Sequence, residues 1–245
     1  MTGEADRFNS TGPSWAERAG LGGLRAVIGP NSSDRENSFL HGIQMYAARR
    51  TDRRIPDHGS LVDFGCGNGR FTRFFGARGH RVLGTEITSE MIDSARVDTT
   101  DPACSFALTD GIAIPADDAS VDAIWICGVL RFSIFVPEPV LDKIAAEMMR
   151  VLRPGGLVVN VEMFLDQDPK VFVDEFVAAG FSKRAVRVLH RYGARLEHYM
   201  RHPRIPSRIL PWLGARCAQL RYHLDWPERV TGLSDYYFEF QKPSP

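Results

Sequence analysis

The stretch Leu61-Val62-Asp63-Phe64-Gly65-Cys66-Gly67-Asn68-Gly69-Arg70 constrains the chain more than any other. Ser60 to Phe64 is short, apolar and bounded by glycines, the pattern of a buried strand. Glycines then occupy positions 65, 67 and 69, and Phe71, Phe74 and Phe75 recur at helical spacing. The expected unit is strand, glycine turn, helix. Such a turn lets backbone approach a ligand, because glycine lacks Cβ and tolerates positive φ. The unpaired N–H groups of the following helix face the same place.

Two ligand classes use a turn of this kind. In the dinucleotide fingerprint the third glycine follows the first by five residues. Here it follows by four, and an acid, Asp63, stands two residues before the turn. Asp63-x-Gly65-x-Gly67-x-Gly69 resembles motif I of the class I S-adenosylmethionine (SAM) dependent methyltransferases. A second resemblance lies at Val151-Leu152-Arg153-Pro154-Gly155-Gly156. Together they cover about residues 58–182 and the last strand.

The intervening sequence alternates strand and helix patterns. Strands are expected at Arg81–Glu86, Ala103–Leu108, Ser120–Cys127 and Gly156–Glu162, with a final one around Tyr236–Phe240. Helices are expected at Asn37–Arg50, Ser89–Val97, Pro137–Leu152 and Asp168–Ala179. Pro154 and the two glycines after it read as a helix stop before the fifth strand. Alternation of this kind implies a parallel sheet with right-handed crossovers, an α/β fold binding ligands at the strand C-termini. The resemblance makes this a Rossmann-like class I methyltransferase fold: a mostly parallel seven-stranded sheet, helices on both faces, the last strand antiparallel.

The resemblance also assigns residues. Asp63, Gly65, Cys66 and Gly67 belong to the glycine loop. Glu86, at the end of the second strand and 23 residues after Asp63, is the ribose-binding acid, and Ile87 packs on adenine. A carboxylate accepts two hydroxyl donors, which suits a diol. Asp110 accepts from the adenine amino group, the backbone N–H groups of Gly111 and Ile112 meet the ring nitrogens, and Cys127 ends the fourth strand in the same crevice. The implied cofactor is SAM, with S-adenosylhomocysteine as product.

Catalytic residues are less defined. Many small-molecule members carry an acid and a histidine after the fourth strand; this chain has Gly128, Arg131 and Phe132. The candidate bases are therefore His41, His190 and Tyr192. Arg131 and Tyr46 are the candidate acceptor-binding residues. No metal is expected, since His198 and His202 are followed by Pro203 and have no evident acidic third ligand.

The 245 residues divide into an N-terminal helical cap (1–55), the SAM-binding core (56–181), a basic helical insert (182–232) and a final strand with tail (233–245). Net charge is zero, yet 182–229 holds eleven Lys or Arg against three acids. That asymmetry points to an anionic partner. Within the insert, Leu210, Leu213, Cys217, Leu220 and Leu224 form an apolar stripe, with Arg208, Arg216 and Arg221 off it. It reads as a lid helix, an anion site on those arginines, or a peripheral membrane surface. Nucleic acid is not expected. The four cysteines lack C-x-x-C spacing, the N-terminus has no secretory pattern, and the location expected is cytoplasmic. The expected activity is methyl transfer to a small-molecule acceptor, oxygen preferred, anionic or carrier-bound. The alternatives are a non-catalytic protein of the same fold binding a partner through its basic insert, and a nicotinamide oxidoreductase.

Overall fold

The computed structural model describes residues 13–130, 138–164, 168–191, 205–223 and 234–244. Three helices come first: α1 (Trp15–Ala19), α2 (Gly23–Val27) and α3 (Asp34–Asp52). Two of them start on reciprocal caps. Ser14 exchanges hydrogen bonds with Glu17, and Ser33 with Glu36, so each helix satisfies orphan N–H groups at its own first turn.

Strand and helix then alternate: β1 (Ser60–Phe64), α4 (Arg70–Gly76), β2 (Arg81–Glu86), α5 (Ser89–Val97), β3 (Cys104–Leu108), β4 (Val121–Cys127), α6 (Glu138–Val151), β5 (Leu152–Phe164), α7 (Pro169–Ala178) and β6 (Ser182–Arg191). A 3-10 turn, Ser207–Ile209, leads into α8 (Leu210–His223), and β7 (Ser234–Gln241) closes the chain. The seven strands pair in the order β3-β2-β1-β4-β5-β7-β6. The pairs among β1 to β5 are parallel, and β7 runs antiparallel to both β5 and β6. This is the class I methyltransferase topology. Because β1 lies between β2 and β4, successive crossovers leave in opposite directions there, and a crevice opens at the strand C-termini.

Strand alternation sorts the core into two faces. Val62, Phe64, Ile124, Ile126, Val158, Phe238 and Phe240 pack with α6 and α7. Leu61, Ala123, Trp125, Leu157, Val159 and Tyr237 pack with α3, α4 and α8.

Three local expectations change. The Arg153–Gly156 segment is not a free turn after α6. Leu152 already pairs with Val121, and Leu157 then pairs with Ala123, so residues 153–156 form a bulge, with Gly155 at φ +80°. The Lys242 ammonium donates to the carbonyls of Met149 and Leu152 at 2.7 Å each, satisfying the end of α6 from across the sheet.

The stretch 182–191, expected to begin the helical insert, is instead strand β6. Lys183, Arg184, Arg187 and Arg191 therefore sit on the sheet. The expected helical patch at 194–200 lies outside the described residues.

The third change concerns α8. Its buried residues are Leu210, Gly214, Ala218 and Tyr222, whereas Leu220, placed in the apolar stripe, is 67% exposed. The cause is close packing on α3. A Cβ on Gly214 would stand 2.1 Å from the Phe39 carbonyl oxygen, and one on Gly42 would stand 2.0 Å from that of Pro211. Between Leu210 and Tyr222 the contact face is built from the small residues Gly214 and Ala218, which a stripe of large ones does not reveal.

Candidate active site

A cavity of about 450 Å³ opens at the C-terminal ends of β1, β2 and β4. Asp63, Gly65, Cys66, Gly67, Glu86, Ile87, Asp110, Gly111, Ile112 and Cys127 all line it, so the ten residues expected around a cofactor converge on one space. Its volume falls in the range of roughly 300–1,000 Å³ typical of small-ligand sites.

The glycine loop forms one wall. Gly65, Gly67 and Gly69 take φ values of +70°, +53° and +74°. A Cβ on Gly65 would approach Val129 Cγ2 to 2.4 Å, and one on Gly67 would approach Val27 Cγ1 to 2.8 Å. The loop is thus pinched between α2 and the segment after β4, where no larger residue fits. Asn68 Nδ2 donates to the Gly23 carbonyl at 2.9 Å and ties the loop to α2. Asp63 is buried and accepts the Thr72 hydroxyl at 2.6 Å. Burial pushes its carboxyl up to about 6, with the Thr72 bond opposing.

Glu86 accepts three backbone N–H groups: Gly67 at 3.0 Å on Oε2, and Ile87 at 2.8 Å and Thr88 at 3.2 Å on Oε1. A carboxylate has about four acceptor sites, so a diol has to share or displace one of these donors. Burial raises the Glu86 pKa, and the N–H bonds oppose it. Asp110 Oδ1 accepts from Ala113 at 2.8 Å and Ile112 at 2.9 Å, which holds its carboxyl low. The Ile112 N–H, expected to meet a ring nitrogen, is therefore engaged by Asp110. The Gly111 N–H makes only a 3.4 Å contact, to Thr109 Oγ1.

Of the predicted catalytic residues, the two among the described residues, His41 and His190, do not line this cavity. His41 is not among the lining residues; its Nδ1 lies 2.8 Å from Arg70 Nη1, and Arg70 does line it. Arginine only donates, so His41 Nδ1 is the acceptor. Burial, aided by Arg70 and Arg49, lowers the His41 pKa to about 4. A group of so low a pKa is a weak base at neutral pH. His190 lies on β6, buried, with its ring edge-on to Phe39 at 5.4 Å, and does not line the cavity. Tyr46 also lies off it, its ring 6.0 Å from that of Tyr222. Tyr192 and Arg131 lie outside the described residues, as do His198 and His202.

Sequence reading missed several lining residues. Trp15 and Val27 come from the N-terminal helices, Arg70 and Phe71 from α4, and Val140, Leu141 and Ile144 from α6. Ser14-x-x-Glu17 is a capping-box signature that announces α1. Nothing local says that α1 packs on α5 and brings Trp15 to the cavity.

A family model described as a methyltransferase domain matches residues 62–160. Residues 62–160 are a class I SAM-dependent methyltransferase domain. The matched span holds the glycine loop, Glu86, Asp110 and Cys127, and the methyl donor of such a domain is SAM. Malonyl-[acyl-carrier protein] O-methyltransferase of Serratia marcescens is 34% identical over 98 residues, 40% of this chain and 36% of the relative. 2-methyl-6-phytyl-1,4-hydroquinone methyltransferase of a Synechocystis species is 28% identical over 137 residues, 54% of this chain and 40% of the relative. The chain thus spans little more than a third of the first curated relatives it matches. Among solved structures, a complex between a methyltransferase activator and a putative methyltransferase of Haloferax volcanii contains a similar chain. That similarity has a TM-score of 0.61 at 18% identity and covers 96% of this chain and all of that one. Phosphoethanolamine N-methyltransferase 2 of Haemonchus contortus, solved with SAM, gives 0.58 at 15%, over 92% of this chain and 61% of that one. At such identities these structures show the fold.

The cavity fits the donor. The positive-φ glycines put backbone without side chains on the cavity wall, and a half-buried carboxylate, Glu86, stands at the β2 terminus where a diol is bound in such crevices. Among the described residues no helix is long and apolar enough to cross a membrane.

Proposed function

We propose that this chain methylates an oxygen of a small acceptor that arrives already ionised, a carboxylate or an acidic phenol, free or carrier-bound. The Gly65–Gly67 backbone holds the amino-acid end of SAM, Glu86 the ribose, and Asp110 with Gly111 the adenine, against Ile87. SAM supplies an electrophilic sulfonium methyl and a neutral leaving group. The protein's task is then to align the acceptor oxygen and exclude water.

The observation that carries the oxygen-anion reading is the set of ionisable groups on the cavity. Among the described lining residues these are Asp63, Cys66, Arg70, Glu86, Asp110 and Cys127. Burial raises both thiols, Glu86 and Asp110 are held by backbone N–H groups, and Asp63 is bonded to Thr72. None is a free base. An ionised carboxylate or phenolate needs none, and Arg70 is a cation on the same wall, beside apolar Phe71, Leu130, Leu141 and Ile144. We assign Arg70 and Arg131 to the acceptor's charge. The malonyl and hydroquinone groups in the relatives' names belong to the same two acceptor classes.

The test is a mass-spectrometric assay with SAM and a panel of free and carrier-bound carboxylates, phenols and amines. The expected product carries its new methyl on oxygen. Methylation confined to amines would overturn the oxygen reading. Tight SAM binding with no turnover across the panel would favour the non-catalytic alternative.

A further inference from the structure

A second concavity, of about 300 Å³, lies away from the methyltransferase cavity and shares no residue with it. Arg50 comes from the last turn of α3 and Arg54 from just after it, Arg184 and Arg187 from β6, Tyr222 from α8 and Glu239 from β7. Ala185 pairs with Glu239 and Arg187 with Tyr237, which in turn pair with Val159 and Val161 of β5, so the pocket lies at the β6–β7 side of the sheet, two strands and more from β1 and its glycine loop.

The charges in this pocket do not balance. Glu239 is buried and already engaged, by Arg54 at 2.9 Å and by the Tyr237 hydroxyl at 2.7 Å. Among the described residues Arg50, Arg184 and Arg187 have no carboxylate partner. Arg50 lies over the Tyr222 ring at 4.0 Å, and Arg187 approaches the same ring at 5.9 Å. The Arg50 Nε atom is buried without a hydrogen-bond partner. Two like charges, Arg50 and Arg187, are therefore gathered at one aromatic ring, with a third, Arg184, on the same hollow; Arg187 gives one donor to the Val186 carbonyl at 2.9 Å, and Arg50 Nε is left over. Solitary surface arginines need not converge in this way.

We propose that this pocket binds a phosphate group. A guanidinium presents a rigid fork of donors that matches phosphate oxygens in pairs. A dianionic phosphate also answers three positive charges better than a single carboxylate does. The concave shape suits the phosphate end of a small molecule or one lipid headgroup rather than an extended surface. The site is distinct from the anion site expected on Arg208, Arg216 and Arg221: Arg216 donates to Gln219 at 2.7 Å, and none of the three lines the pocket. It does not depend on what the methyltransferase cavity accepts.

The test is calorimetric titration of the full chain with inorganic pyrophosphate at low salt. The protein is compared with the double variant Arg184→Gln/Arg187→Gln, both exposed positions, and with Arg50→Gln. Saturable binding is expected, weakened about tenfold in the double variant, with S-adenosylhomocysteine affinity unchanged as the check on folding. No saturable binding, or equal binding by the double variant, would overturn the site. Co-sedimentation with phosphatidylcholine vesicles containing phosphatidic acid identifies the source. Loss of co-sedimentation in the variant assigns a headgroup; pyrophosphate binding without co-sedimentation assigns a soluble phosphate.

Discussion

Glu86→Ala removes the group proposed to hold the ribose, and its magnitude follows from the acceptor geometry. Hydrogen bonds to a charged group contribute about 1.5–3 kcal/mol each. Loss of two, at the lower figure, costs about 3 kcal/mol, roughly a hundredfold in affinity. Glu86→Gln discriminates further. Its single oxygen can serve the Ile87 and Thr88 N–H groups that Oε1 now serves, but its amide nitrogen then faces the Gly67 N–H, which Oε2 now accepts. Gln should therefore retain part of the affinity and lose about tenfold. The assay is calorimetric titration with S-adenosylhomocysteine, and thermal unfolding without ligand reports whether the fold survives. An Ala variant that folds and binds within about threefold of the parent would remove Glu86 from the ribose.

Asp110→Ala should weaken binding less than Glu86→Ala in the same titration, because Asp110 is exposed and its Oδ1 is engaged by its own loop. Asp63 has a pH signature. Its folded pKa of about 6 exceeds the ordinary aspartate value of 3.8, so its contribution to stability is full below about 3.8 and is lost as pH rises through about 6. The difference is on the order of 3 kcal/mol. Denaturant unfolding of Asp63→Asn across that window should show a flatter pH dependence than the parent; parallel curves would refute it. Gly214→Ala should lower stability by about 1–3 kcal/mol, since its Cβ meets a backbone oxygen at 2.1 Å that no rotamer can move. An unchanged melting temperature would mean that α3 and α8 separate at no cost.

The core strands were legible because each carries a local signal. Ser60–Phe64, Arg81–Glu86 and the helix Ser89–Val97 occur with the bounds read from the sequence. Short apolar runs between glycine turns leave few alternatives, and the glycine, acid and Asp-Gly positions sit at strand ends, where the parallel topology gathers them. The Arg153–Gly156 bulge was not legible. Proline and glycine punctuate a turn and a bulge alike, and only pairing of Leu152 with Val121 separates the two. The buried face of α8 was misread for a related reason: Gly214 and Ala218 carry little hydrophobic signal, and their burial follows from close approach to α3.

Two of the catalytic candidates, His41 and His190, and the acceptor-binding candidate Tyr46 lie off the cavity lining; proton affinity depends on what surrounds a ring, and distance from the cavity depends on packing. The Arg70 contact and burial that lower His41 arise from residues 29 positions apart in sequence. The sequence alone determined the strand order's ingredients, the glycine loop and the acids at the strand ends, since these rest on periodicity and backbone conformation within a few residues. Only the tertiary structure decided that α2 closes on the loop while α1 packs on α5, that α8 seats on α3, and that Arg50, Arg184 and Arg187 share one hollow. Those outcomes depend on which surfaces meet, a property no short stretch of chain contains.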